Sequence, residues 1–275
     1  KLLRGADQDH GGSYVWIGGQ DQPSRQAIKE RIKAGTQRVL FCSPESVRSS
    51  LVPLLFELSR LNMIGAIVID EAHLIDQWGA EFRPDFQLIA PMIRSLKAMG
   101  KCRFRTLLLS ATYSKSTRDI LVEQFHDENS ELIEVSANFL RPEPEYFVHH
   151  EANENAHRQR VEQLLMTLPR PLILYCTTRT DAEMWSARLN ELGYWRIGIF
   201  HGQIDTNNRK KLISKWKNDQ LDIMVATSAF GVGMNKKEIR SIIHAAIPEN
   251  IDRYYQDCGR AGRDGRSCQV HLVWH

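Results

Sequence analysis

The 275-residue chain predicts an α/β protein of two doubly wound lobes, each a mostly parallel sheet flanked by helices. Three observations carry that reading. Short apolar runs recur along the chain and are near-continuously hydrophobic rather than alternating, as expected of strands covered on both faces. Stretches with helical periodicity, start signals and stop signals separate them. Midway, NFLRPEPEYF carries Pro142 and Pro144, which stiffen an extended path and mark residues 138–150 as the predicted connector between lobes 1–137 and 151–275.

Taken in order, SYVWIG, RVLFCS, GAIVID and RTLLLSAT are the predicted strands of the first lobe, and PLILYC, RIGIFHG, LDIMVAT, SIIHAAIP and QVHLVW those of the second. Val161, Leu164, Leu165 and Leu168 mark one helix face, stopped by Pro169. Thr180 with Glu183 reads as a capping box that opens a helix ending near Gly193. Leu212, Ile213 and Trp216 mark another helix, with Thr206 as its expected cap. No fixed-period repeat and no low-complexity tract interrupts this alternation.

Composition sets bounds. Hydrophobic content of 42% and charged content of 25% are globular values, and no run of 18 or more apolar residues suggests a membrane span, so a soluble protein without a membrane partner is expected. The five cysteines (Cys42, Cys102, Cys176, Cys258 and Cys268) form no CxxC pair, which argues against a zinc site or a disulfide framework and for core residues in a reducing compartment. No signal peptide is visible, and Lys1 stands where an initiating methionine would, which fits a processed or excised piece. A net charge of +3 is too mild to diagnose a polyanion partner, although the half after residue 150 is the basic one, with 18 Lys+Arg against 14 Asp+Glu.

In open parallel sheets the active crevice lies beyond the carboxyl ends of the strands. Each apolar run here stops there at a polar word: SPES (43–46), DEAH (70–73), SAT (110–112), CTTR (176–179), HG (201–202) and ATSAFGVG (226–233). That pattern predicts a ligand held between two lobes. In DEAH, the Asp70 carboxylate suits a Mg²⁺ ion, while Glu71 suits the base that orients and deprotonates water during phosphoryl transfer. In QDCGRAGRDG (256–265), Arg260 and Arg263 stand three apart in a glycine-rich turn, where planar guanidiniums can neutralise charge on a transferring phosphoryl group. Gln256 and the preceding tyrosines give that turn a polar and aromatic frame.

Together these words resemble the two motor domains of a RecQ-type DNA helicase of superfamily 2. DEAH followed by QWGAEFRPDF resembles motif II and the aromatic-rich loop; SPES resembles motif Ib, SAT motif III, ILYCTTR motif IV, VATSAFGVGMNK motif V and YYQDCGRAGRDG motif VI. The resemblance covers nearly the whole chain in the family's order. It implies tandem RecA-like lobes, ATP and Mg²⁺ as cofactors, and DNA, single-stranded or forked, as partner. By position it also implies nucleotide contacts from Asp70, His73, Gly233, Arg260 and Arg263, with Gln256 among the catalytic set. Single-strand contacts would fall to Trp78, Phe82, Arg83, Ser43, Thr177, Arg179, His201 and Thr227, and coupling to Ser110 and Thr112. Stacking of bases on aromatic faces beside an arginine agrees physically with a role for QWGAEFRP. Travel from 3′ to 5′, and a nucleoid-associated cytoplasmic location in a bacterium or a nuclear one in a eukaryote, are further expectations.

Leu74, Asp76 and Ala80 replace the cysteine, serine and histidine frequent in the family, and Lys237 stands where proline is usual. No GxxxxGK[ST] phosphate loop occurs; in the nearest string, MGKC at 99–102, Ser95 and Cys102 fill the wrong positions. The loop is expected upstream of Lys1. Two alternatives stay open: a nucleic-acid-binding module that grips without turnover, and a superfamily 2 motor acting on RNA or duplex DNA.

Overall fold

Continuous apolar runs become parallel strands in both halves of the chain. The computed structural model describes residues 14–16, 21–77, 84–99, 104–112, 114–126, 132–137, 139–230 and 236–275, and it divides into two compact units, Lys1–Val135 and Ser136–His275.

In the first unit, β1 (Tyr14–Trp16) pairs with β2 (Leu40–Cys42), and β3 (Ala66–Ile69) pairs with β4 (Arg105–Leu108), both in parallel. Helix α1 (Gln22–Lys33) starts where the Asp21 carboxylate accepts the Ser24 amide at 2.7 Å, with Pro23 in its first turn. After β2, one turn, α2 (Pro44–Ser46), runs through a π-helical turn, Val47–Leu51, into α3 (Val52–Arg60). Four helices complete the unit: α4 (Leu74–Gln77), α5 (Pro84–Gln87), α6 (Ile89–Met99) and α7 (Lys115–Phe125). Ile69, Ile75, Phe86, Ile93, Leu96 and Leu121 share one core, and Trp16, Ile28, Leu51, Leu54 and Leu58 a second. Coverage of both strand faces, expected from the sequence, does not hold here: Val15, Phe41 and Val68 are 51%, 47% and 55% exposed. A two-stranded ladder backed by helices on one side turns alternate residues outward.

The second unit meets that expectation. Its six strands lie in the order β5-β10-β9-β6-β8-β7, all parallel: β5 (Pro144–His150), β6 (Leu172–Tyr175), β7 (Ile197–Phe200), β8 (Ile223–Ala226), β9 (Ser241–His244) and β10 (Cys268–Trp274). Every residue of β6, β8 and β9 is buried. Each large aliphatic side chain so covered contributes roughly 1.5–3 kcal/mol. Around the sheet run α8 (Glu154–Thr167), α9 (Arg179–Glu191), α10 (Thr206–Lys217) and α11 (Ile251–Cys258). Val161, Leu164 and Leu165 form the buried face of α8, as their spacing predicts.

Three expectations are corrected. Residues 144–150 of the predicted connector form β5, which pairs along its whole length with β10; Pro144 opens the strand, where its missing amide costs least. The capping box of α9 is Thr178 with Asp181, not Thr180 with Glu183: Asp181 Oδ2 accepts the Thr178 amide at 3.2 Å and Thr178 Oγ1 accepts the Asp181 amide at 3.1 Å. The cap of α10 is Asp205, whose carboxylate accepts two amides at 3.0 Å, and Thr206 is already helical.

Candidate functional site

Strand β3 delivers DEAH at its carboxyl end. Asp70 Oδ1 accepts the Glu71 amide at 3.0 Å, and Glu71 takes a left-handed backbone, φ +53°, a conformation that side-chain-bearing residues rarely adopt. Both carboxylates are exposed, while Ala72 and His73 turn inward and are buried. The Ala72 amide donates to Leu109 O at 2.9 Å, so DEAH is stitched to the segment leaving β4. His73 completes the stitch: its Nδ1 lies 2.7 Å from Ser110 Oγ and 3.4 Å from Glu71 Oε2. Ser110 Oγ in turn donates to Thr112 O at 2.7 Å. The Thr112 hydroxyl is buried without a hydrogen-bond partner among the described residues. Glu71, His73, Ser110 and Thr112, named separately from the sequence, are thus one connected group.

The arginine turn follows α11. Buried Asp257 stands between Arg253, with Nε to Oδ2 at 3.2 Å, and Arg260, with Nε to Oδ1 at 3.3 Å. Burial pushes the Asp257 carboxyl above its ordinary value while the two guanidiniums pull it down. Arg263 is exposed, and its Nε donates to Gly259 O at 2.9 Å. Gln256 is half-buried on the last turn of α11. Behind the turn, His244 is buried among Tyr175, Tyr254 and Cys258, and that burial drives its pKa down to about 3. The sequence reading missed Arg253 and Asp257; their signal was the i, i+4 and i, i+3 spacing of Arg253, Asp257 and Arg260.

The proposed strand contacts fall at strand ends, with differing access. Ser43, Thr177 and Arg179 are exposed. Ser43 Oγ accepts the Ser46 amide at 3.3 Å and so caps α2. Arg179 pairs with Glu183 at 2.8 Å and donates to Gln203. His201 is half-buried, with Nε2 4.0 Å from Glu183 Oε1 and a buried Nδ1 that has no partner among the described residues. Thr227 is buried, its amide bonded to Phe200 O at 3.1 Å, so its side chain meets a ligand less readily than its spacing implied. Strand order reverses at β6, between β8 and β9. There a cavity of about 230 Å³ opens, with Thr177, Arg158 and Asp181 in its lining. Trp78, Phe82, Arg83 and Gly233 lie outside the described residues.

Residues 9–120 match the DEAD/DEAH box helicase family and residues 156–265 the helicase conserved C-terminal domain. The ATP-dependent DNA helicase RecQ of Bacillus subtilis is 33% identical over 254 residues, covering 91% of this chain and 41% of that protein. ATP-dependent DNA helicase Q-like 4B of Arabidopsis thaliana is 32% identical, covering 86% and 20%. The chain therefore spans less than half the length of these relatives. Among solved structures, the DUF1998 helicase MrfA bound to DNA superposes with a TM-score of 0.73 at 17% identity, covering 96% of this chain and 36% of that one, a likeness of fold. With two helicase domain matches in tandem and parallel sheets carrying DEAH and the arginine turn at their ends, the chain carries a DEAD/DEAH box helicase domain and a helicase conserved C-terminal domain, and it is similar to RecQ-type DNA helicases of superfamily 2 along most of its own length.

Proposed function

We propose that this chain is the motor part of an ATP-dependent DNA helicase that moves 3′ to 5′ on one strand, in the compartment where the cell keeps its DNA. The observation that supports it most is the connected group Glu71, His73, Ser110 and Thr112, because a carboxylate base beside a histidine that is hydrogen-bonded to a second motif can report nucleotide state beyond its own strand. Glu71 orients the attacking water and takes its proton. Arg263, exposed on its turn, neutralises charge on the transferring group, and Arg260 steadies the turn through Asp257 while adding positive potential. Gln256 contributes a polar contact beside them.

Asp70 fits a Mg²⁺ partner, since it offers hard carboxylate oxygens in an exposed position at a strand end. Among the described residues no cluster of three or more His, Cys, Asp or Glu side chains could hold a metal ion, and Asp70 is the residue that would hold it here. When bound, the ion supplies charge neutralisation on the phosphates.

Ser43, Thr177, Arg179 and His201 grip the strand, with the QWGAEFRP loop stacking on its bases. To reach a phosphate, Arg179 must exchange Glu183 for it, a small cost for an exposed pair.

The test is Mg·ATP hydrolysis by this chain with and without single-stranded DNA, with Glu71→Gln as the blank. DNA binding without turnover is expected of the chain alone, since its sequence holds no GxxxxGK[ST] loop, and DNA-stimulated hydrolysis, abolished in the blank, is expected once a segment carrying that loop is joined upstream. Salt-sensitive DNA binding with no turnover even after that segment is joined would instead assign the chain a grip without hydrolysis, and preference for RNA over DNA would make it a different motor.

A further inference from the structure

We infer that Arg141 is a positioning residue for the arginine pair: its guanidinium holds the backbone of the turn that carries Arg260 and Arg263, and so sets where those two charges stand. Arg141 lies in the segment ahead of β5, far from the turn in sequence. Its Nη1 donates to Gly259 O and to Ala261 O, each at 3.1 Å, and its Nη2 donates to Gly262 O at 2.7 Å. Its Nε is occupied by Glu143 Oε2 at 3.1 Å, which fixes the plane of the fork. Three carbonyls converging on one guanidinium suit a planar, five-donor group, and a lysine ammonium cannot span them in the same geometry.

Packing points the same way. Gly262 has φ +62°, and a Cβ there would sit 2.9 Å from Arg266 O and from Cys268 Sγ, and 3.0 Å from Glu143 Cβ. The turn is therefore pressed against the very residue that aligns Arg141. On its other side the Gly262 amide donates to Ile239 O at 3.0 Å. Arg141 and Arg263 also share an acceptor, since Arg263 Nε donates to the same Gly259 carbonyl. The carbonyls lie just past the carboxyl end of α11, where the helix dipole favours a cation. Loss of the fork takes these donors from the Ala261 and Gly262 carbonyls and loosens the turn that carries Arg263.

The kinetic part of this inference rests on the ATP-hydrolysis reading, so the experiment has two arms. In the first, amide hydrogen exchange is followed in wild type and Arg141→Lys. Exchange at Gly262 and Gly265 is expected to quicken about tenfold or more, as loss of charge-assisted hydrogen bonds implies, with β6 and β9 unchanged. In the second, run on the chain with a phosphate-loop segment joined upstream, Arg141→Lys is expected to lower kcat about tenfold with little change in KM for ATP, and to have a smaller effect on top of Arg263→Ala. Glu143→Gln, which loosens Arg141 without removing it, should move both readouts the same way by less, and serves if the lysine variant folds poorly. Unchanged exchange overturns the inference, as does an equal loss of kcat with Arg263 already absent. If wild type shows no hydrolysis even with that segment joined, the ATP reading fails while the exchange arm still decides for or against Arg141.

Discussion

The DEAH corner and the arginine turn both present charge at the edge of a parallel sheet, but they are built differently. DEAH hangs from a two-stranded ladder with one open face, and its reactive residue, Glu71, is held in a left-handed conformation by few partners. The arginine turn follows a helix packed on a six-stranded sheet and is held by backbone, by Arg141 and by buried Asp257. Strain is concentrated in the first and hydrogen bonding is distributed in the second. The difference teaches that substitutions at DEAH should strike chemistry and spare stability, whereas those at the residues that hold the turn, Arg141, Asp257 and Gly262, should strike both.

Arg263→Ala is the largest expected departure, a loss of hydrolysis of about 10³-fold or more, with the melting temperature nearly unchanged because the side chain is exposed. Steady-state kinetics beside a melt would check it, and retained activity would remove Arg263 from the chemistry. Glu71→Gln should cost about 10²-fold or more without destabilising the first unit, and a large loss of stability there would break the contrast drawn above.

The turn's own rigidity is tested by Gly262→Ala. A Cβ 2.9 Å from the Arg266 backbone oxygen, at positive φ, should cost about 2–3 kcal/mol in denaturant unfolding. A cost near zero would mean that the turn is looser than its contacts imply.

Acid should separate the units next. Burial holds the folded pKa of His244 down at about 3 and that of His271 at about 4, below the ordinary 6.5. The unfolded chain then binds more protons below pH 6.5, so stability falls as pH drops, by at most about 1.4 kcal/mol per pH unit for each group. His244→Phe should flatten part of that slope, measured by unfolding between pH 7 and 4.5. The smallest effect is expected of Ser110→Ala, about 1 kcal/mol, together with weaker stimulation of hydrolysis by DNA than of basal turnover.

All nine apolar runs named from the sequence contain strands, because a short apolar run between helix signals has few other uses. The tenth strand escaped notice: EYFVHH carries two histidines behind Pro142 and Pro144, and an edge strand needs no continuous apolar run. Helix starts slipped by one or two residues, since Thr178 with Asp181 and Thr180 with Glu183 have the same spacing and only backbone geometry chooses between them. The outward faces of β1 to β3 were misjudged for a related reason, because an apolar residue does not announce how many strands or helices will cover it. At the site, Asp70, Glu71, Arg260 and Arg263 were legible as acid pair and arginine pair. Arg141 was not, since its partners are backbone carbonyls more than a hundred residues later, and carbonyls leave no mark on a sequence.

The pairing of β5 with β10 has a mechanical consequence. The two strands run the same way over seven matched positions, from Pro144 against Cys268 to His150 against Trp274, with the Cys268 amide already bonded to Glu143 O at 2.9 Å. A pull on the chain ahead of Glu143 acts along these strands and across their hydrogen bonds, so the rungs share the load in shear instead of peeling one at a time. Tension arriving through that segment is therefore spread over the seven matched positions and carried into the sheet through β10.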